Sequence, residues 1–212
     1  MKKTIFALLA LVTLQSFAQN DPNAKKILDG VSSKFKSFKT VQATYNLTVT
    51  NKAGKNAGSK SGIIYLKGQK YQITDKGLQI FSNGVKVWKF EPAANEVSIS
   101  AVDPNNQAIT PAKLLSNFYE KDFSYKLNGN KSISGRQLAE IELTPTTKGR
   151  NFSKVLVYVD QTKQMIISTK VFETSGNTYT YGISNLKTNG TLADNMFVFD
   201  KSKYPGVEEI EQ

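Results

Sequence analysis

The sequence holds no histidine and no cysteine. Those absences remove Ser-His-Asp and Cys-His nucleophiles, histidine general bases, and the usual zinc and copper sites. No disulfide can staple the chain, so an exported domain of this sequence must be held by its own core. A bacterial lipid anchor needs a cysteine at the processing site, so the chain cannot be anchored that way. No P-loop and no Gly-rich dinucleotide motif occurs. Carboxylate chemistry is what remains. Glu140 and Glu142 share a strand face with Leu138, which reads as a solvated edge, and no carboxylate spacing points to a glycosidase. Arginine is confined to Arg136 and Arg150. Proteins that read bases favour arginine for bidentate contacts, so nucleic acid is a poor match.

Long apolar runs are also missing after the first few residues. Met1-Lys2-Lys3 is basic, and the apolar stretch Thr4 to Leu14 is too short to span a bilayer. Ser16-Phe17-Ala18 places small residues at the −3 and −1 positions of a processing site. Residues 1–18 are therefore expected to be a signal peptide cleaved after Ala18, and residues 19–212 a single exported, soluble domain. That length is enough for one well-buried core. Net charge is +11; without Lys2 and Lys3, 26 basic residues stand against 17 acidic ones, giving +9. The densest basic run is Lys34, Lys36 and Lys39, beside Phe35 and Phe38. Attraction to anionic phospholipid suits an exported chain of this charge.

Periodicity supplies the architecture. Asp21 can cap and Pro22 can open a helix in which Ala24, Ile27, Leu28, Val31 and Phe35 recur at helical spacing. The period then becomes two. Val41, Ala43, Tyr45, Leu47 and Val49 alternate with polar residues, so one face of that strand is apolar and the other wet. Further strands are expected at 62–67, 70–74, 78–82, 85–90 and 96–101, then at 123–127, 136–143, 152–160, 165–172, 178–187 and 196–199. Asn83-Gly84 and Gly129-Asn130 read as turns between them, and Asn51 to Lys60 as a polar turn. So many short strands imply an antiparallel meander that curls into all or part of a barrel.

The stretch Ser82 to Leu115 is the most distinctive. It runs Asn83-Gly84-Val85-Lys86-Val87-Trp88-Lys89-Phe90-Glu91-Pro92, an alternating strand Glu96 to Ser100, Asp103, and Thr110-Pro111-Ala112-Lys113-Leu114-Leu115. Thr110 can cap a helix opened by Pro111, with Leu114, Leu115 and Phe118 on one stripe. This order resembles the LolA-type lipoprotein carriers of the Gram-negative periplasm. Ile141 to Pro145, Val155 to Asp160, and Leu192 to Phe199 with Pro205-Gly206-Val207 resemble later elements of the same family.

The resemblance implies an α+β, mainly antiparallel fold: an incomplete half β-barrel of about 11 strands closed by lid helices. It implies a non-enzymatic periplasmic carrier that shields lipoprotein acyl chains between inner and outer membranes, without a cofactor. Cargo would come from an inner-membrane ABC-type extraction complex and pass to an outer-membrane acceptor or membrane surface, with the carrier a monomer. Candidate cargo-binding residues are Val41, Tyr45, Leu47, Val49, Trp88, Phe90, Leu114, Leu115 and Phe118. The strand phase that faces inward is open, above all at Trp88, because both faces of 85–90 carry apolar groups. The family commonly has Arg-Pro where this chain has Lys67-Gly68, so Lys67 is the candidate for lid control. Lysine keeps the charge but loses the planar fork. The residues also leave open a half-barrel for another amphiphile, or a structural envelope protein whose barrel is filled.

Overall fold

Twelve strands form one sheet in the computed structural model, which describes residues 20–103 and 119–212. They are β1 Val41–Thr50, β2 Asn56–Lys67, β3 Lys70–Thr74, β4 Gln79–Ser82, β5 Lys86–Glu91, β6 Glu96–Ala101, β7 Phe123–Ile133, β8 Arg136–Pro145, β9 Phe152–Asp160, β10 Met165–Glu173, β11 Thr178–Thr188 and β12 Glu208–Glu211. Helix α1 spans Pro22–Lys36 and the single turn α2 spans Tyr119–Asp122. The spatial order is β12-β6-β5-β4-β3-β2-β1-β11-β10-β9-β8-β7. The chain lays down β1 to β6 in one direction, restarts at the far edge with β7, and returns to pair β11 with β1. The sheet does not close, so the architecture is a mainly antiparallel, open half-barrel.

Twelfth and last, β12 pairs parallel with β6 and is absent from the sequence pattern. Its Glu208-Glu209-Ile210-Glu211 carries too many charges to read as a strand. The strand expected at 196–199 is instead a 3-10 turn, Asp194–Phe197, leading into an extended residue. Two turns also fall elsewhere. β7 continues through Gly129 as a bulge and turns only at Ser134-Gly135, both at positive φ. β2 begins at Asn56, so the polar segment 56–60 is strand rather than turn. At Asn83-Gly84, only Gly84 takes positive φ, while the Asn83 carboxamide oxygen accepts from the amides of Val85 and Lys86 at 2.9 and 2.8 Å. Asparagine acts here through its side chain, as an Asx turn.

Helix α1 forms where the sequence places it, and Asp21 does two jobs there. One carboxylate oxygen accepts from the amides of Asn23 and Ala24, at 2.8 and 3.3 Å, satisfying the helix start. The other accepts from Leu127 N at 3.0 Å, while Asn20 accepts from Tyr125 N at 3.1 Å. Open amides on the β7 edge are thereby met by the residues that lead into the helix. Ala24, Leu28 and Val31 face the sheet and pack with Ile141, Leu143, Val155 and Val157. Full burial of a leucine or valine side chain there stabilises by about 1.5–3 kcal/mol. Arg150 locks the same end: its guanidinium lies 5.7 and 5.9 Å from the Phe123 and Phe152 ring centres and 3.2 Å from Asp122.

Gly62 is the tightest close approach in the sheet. It stands opposite Tyr45, and a Cβ there would lie 2.3 Å from the Thr74 carbonyl oxygen and 2.7 Å from the Tyr45 ring. The ring crosses β2 over this gap, and its hydroxyl donates to Asp75 at 2.9 Å. Gly62→Ala is expected to destabilise by about 1–3 kcal/mol through overpacking, read as a lower denaturant midpoint with an unchanged slope.

Candidate functional site

Register assigns every strand residue to a face, because directly paired residues share one. Tyr45 pairs with Ile183, Leu47 with Tyr181 and Val49 with Tyr179. Tyr181 pairs with Thr169 and Tyr179 with Val171; Val171 with Val155 and Thr169 with Val157. In the other direction Ala43 pairs with Ile64, Ile64 with Ile73 and Ile73 with Ile80. This continuous apolar face carries α1 and is the inner face of the half-barrel.

The candidate residues do not form one site. Gln42 pairs with Tyr65, Tyr65 with Gln72, Gln72 with Phe81 and Phe81 with Trp88. Trp88, and Phe90 two residues on, therefore stand on the outer face, opposite to Val41, Tyr45, Leu47 and Val49. Both sides of the 85–90 strand being apolar, sequence pattern could not choose between them. Phe90 is buried there with Phe81 and Val97 beneath Phe199, Tyr204 and Val207 of the C-terminal segment, and Trp88 packs against this cluster. Leu114, Leu115 and Phe118 lie outside the described residues.

On the inner face, burial divides the remaining four. Val41 and Tyr45 are only 2% and 4% exposed and are packed into the core. Leu47 and Val49 are half-buried, as are their neighbours Tyr179, Tyr181 and Ile183. The apolar band thus runs on past the packed core into a partly uncovered stretch. At the other side of the face, a cavity of about 360 Å³ lies between α1 and the sheet, with Ile27, Leu127 and Val159 as apolar lining and Lys26, Gln161 and Gln164 as polar lining. That size is at the low end for ligand pockets. Ser32 of α1 and Thr169 of β10 are buried, and their hydroxyls have no hydrogen-bond partner among the described residues. Such groups cost free energy until something pairs with them.

Lys67 stands on the outer face. Its ammonium donates to the Leu192 carbonyl at 2.9 Å and pairs with Asp194 at 2.9 Å, where Lys70 also reaches at 3.2 Å. Hydrogen bonds from these two lysines hold the Asp194 carboxyl below its usual range. Lys67 thus fastens the C-terminal segment, a partner that residue type and position alone could not reveal. Lid control is its expected role; its side chain holds no part of α1, and the lid helix expected at Pro111 lies outside the described residues.

Glu140 and Glu142 lie on the outer face and are already engaged. Asn128 donates to Glu140 at 3.2 Å, and Lys154 pairs with Glu142 at 3.3 Å. Burial, and then a hydrogen bond to Glu140, push the Tyr158 hydroxyl up to about 12. An unfolded tyrosine titrates near 10, so this group stabilises the fold fully below about pH 10 and loses that contribution as pH rises towards 12. Tyr158→Phe is expected to flatten the alkaline loss of stability in that window, measured by denaturant titration at stepped pH. Among the described residues, no three potential acidic ligands gather as a metal site, and no helix is long and apolar enough to cross a membrane.

The family profile of the outer membrane lipoprotein carrier protein LolA matches residues 36–200. The chain belongs to the LolA family. The profile begins at the end of α1 and runs through the first 3-10 turn, so it takes in β1 to β11 and most of both faces described above. The crystal structure of an uncharacterized conserved protein from Thermus thermophilus superposes with a TM-score of 0.61 at 11% identity, covering 90% of this chain and 99% of that one. A LolA superfamily protein from Nitrosomonas europaea gives a TM-score of 0.46 at 15% identity, covering 84% and 98%. At 11% identity the likeness to the Thermus protein concerns the fold alone. No curated protein sequence matches the chain.

Proposed function

We propose that this LolA-family protein is a periplasmic carrier that binds lipoprotein acyl chains on its inner face and moves them from the inner to the outer membrane. The observation that carries the reading is the half-buried apolar band of Leu47, Val49, Tyr179, Tyr181 and Ile183, which continues the core but is not sealed by it. Each methylene moved from water to such a surface contributes about 0.8 kcal/mol, so a loosely shaped apolar face suffices for affinity. Leu47 and Val49 are the cargo contacts among the described candidates, Val41 and Tyr45 form the packed base beneath them, and Leu114, Leu115 and Phe118 would add contacts from the segment after Thr110. In this reading the carrier acts by binding, without a reaction step. An inner-membrane ABC-type complex supplies cargo, and an outer-membrane acceptor or the membrane itself receives it.

The test is release. Spheroplasts, or proteoliposomes of the cognate extraction complex holding a labelled lipoprotein, are mixed with the protein and ATP. Label is expected in the soluble fraction as a discrete complex with the protein. Label that stays in the membrane, with extraction complex and carrier both shown to be native, overturns the lipoprotein assignment.

A further inference from the structure

We infer that the junction between α1 and β1 is a docking surface for an anionic lipid headgroup layer. Lys34, Lys36 and Lys39 are exposed there around Phe35 and Phe38. The two rings are half-buried and meet edge to face, with centres 6.2 Å apart, and the Lys34 ammonium lies 5.8 Å from the Phe38 ring centre. A fourth exposed lysine, Lys187, stands at the same end of the sheet, on its outer face. Its strand pairs Lys187 with Gln42, Asn189 accepts from the Lys39 amide at 2.8 Å, and the Asn189 amide donates to the Thr40 carbonyl at 2.9 Å. Among the described residues none of these four lysines forms an ion pair. The acids along neighbouring segments are taken: Asp29 pairs with Lys25 at 2.6 Å, and Asp194 with Lys67 and Lys70.

Lysine and phenylalanine together select the partner. A base-reading or carboxylate-clamping surface would use the planar fork of arginine, which this patch lacks. Ammonium groups on flexible stems with aromatic rings between them match the boundary of an anionic bilayer, where the stems lie against apolar matter and the charges meet phosphate. Phe35 and Phe38 also pack against the inner-face cluster that contains Val41, Tyr45 and Ile64. The patch is therefore the rim of the same apolar surface that carries cargo, and docking there would present that surface to the membrane. This goes beyond the carrier reading, and its test contains no lipoprotein.

Sedimentation with vesicles of phosphatidylglycerol mixed into phosphatidylcholine is expected to bring down the protein at low salt. High salt, or phosphatidylcholine alone, is expected to leave it in solution. Each lysine near such a surface contributes about fivefold to partitioning, so Lys34→Gln/Lys36→Gln/Lys39→Gln should weaken it about a hundredfold. The control Lys86→Gln/Lys131→Gln/Lys163→Gln removes the same charge from exposed positions elsewhere and should retain clearly tighter binding. Because the chain has no cysteine, a polarity-sensitive dye on Ser37→Cys reports the patch directly. Its emission should shift on anionic vesicles, while the same dye on Ser175→Cys, in the β10–β11 turn, should not. Equal binding to both vesicle types, equal loss in both triple variants, or a silent dye at residue 37 would each overturn the proposal.

Discussion

Phe199→Ala is expected to destabilise the protein by about 3–5 kcal/mol, the range for removing a buried aromatic ring. Phe199 lies in the C-terminal segment, yet it is the hub of the outer-face cluster. Its ring stacks on Tyr204 at 4.6 Å and 17°, and reaches Phe90 at 5.6 Å and Phe81 at 5.8 Å. Without it, the cavity opens between β4, β5 and a segment that carries one short 3-10 turn, Lys201–Lys203, before β12. Denaturant unfolding gives the free energy, and amide exchange shows where the loss falls. Protection should drop first along β12, whose four residues are all exposed and whose partner is β6 alone. Lys67 and Lys70 hold the near end of the segment through Asp194, so the Met196 and Val198 amides, which donate to the Ala193 and Asn195 carbonyls, should keep protection longer than residues 204–211. An unfolding free energy within about 1 kcal/mol of the parent would mean that the segment merely lies on the sheet, and that the sheet is stable without it.

The meander was legible because turn residues punctuate it: strands β3, β6 and β9 fall at the expected residues, and α1 begins at its expected cap. What sequence could not supply was everything that depends on the far partner. Trp88 faces outward because four successive registers place it on the side of Gln42, and each register is set by a different hairpin. β12 is a strand because β6 had a free edge to offer, not because Glu208 to Glu211 favour one. Lys67 faces Asp194 because a segment 125 residues later folds back over the sheet. Gly129 looked like a turn and is a bulge, since β8 continues to pair on both sides of it. Local pattern therefore carried the elements, and long-range pairing carried the division of the candidate residues between two faces.

Leu47→Glu/Val49→Glu should weaken binding of a fluorescent fatty-acyl probe at least a hundredfold and leave the fold intact. Both side chains stand on the inner face beside Tyr181 and Tyr179, and neither is fully buried. A glutamate at these places can therefore reach water in the empty state, which limits the folding cost. Once an acyl chain lies over them, each carboxylate would lose water without gaining a partner. The two lost apolar contacts alone account for about 3 kcal/mol, and every 1.4 kcal/mol is tenfold in affinity. Trp88→Ala is the matched comparison, because it removes the larger apolar surface from the other face. It should leave probe affinity unchanged while lowering stability through its contact with the outer cluster. The opposite outcome, with Trp88→Ala abolishing binding and the inner-face pair indifferent, would move the cargo surface beneath the C-terminal segment. That segment would then have to leave β4 and β5 for cargo to enter, a motion that the Phe199→Ala variant would make easier and that would tighten binding in it.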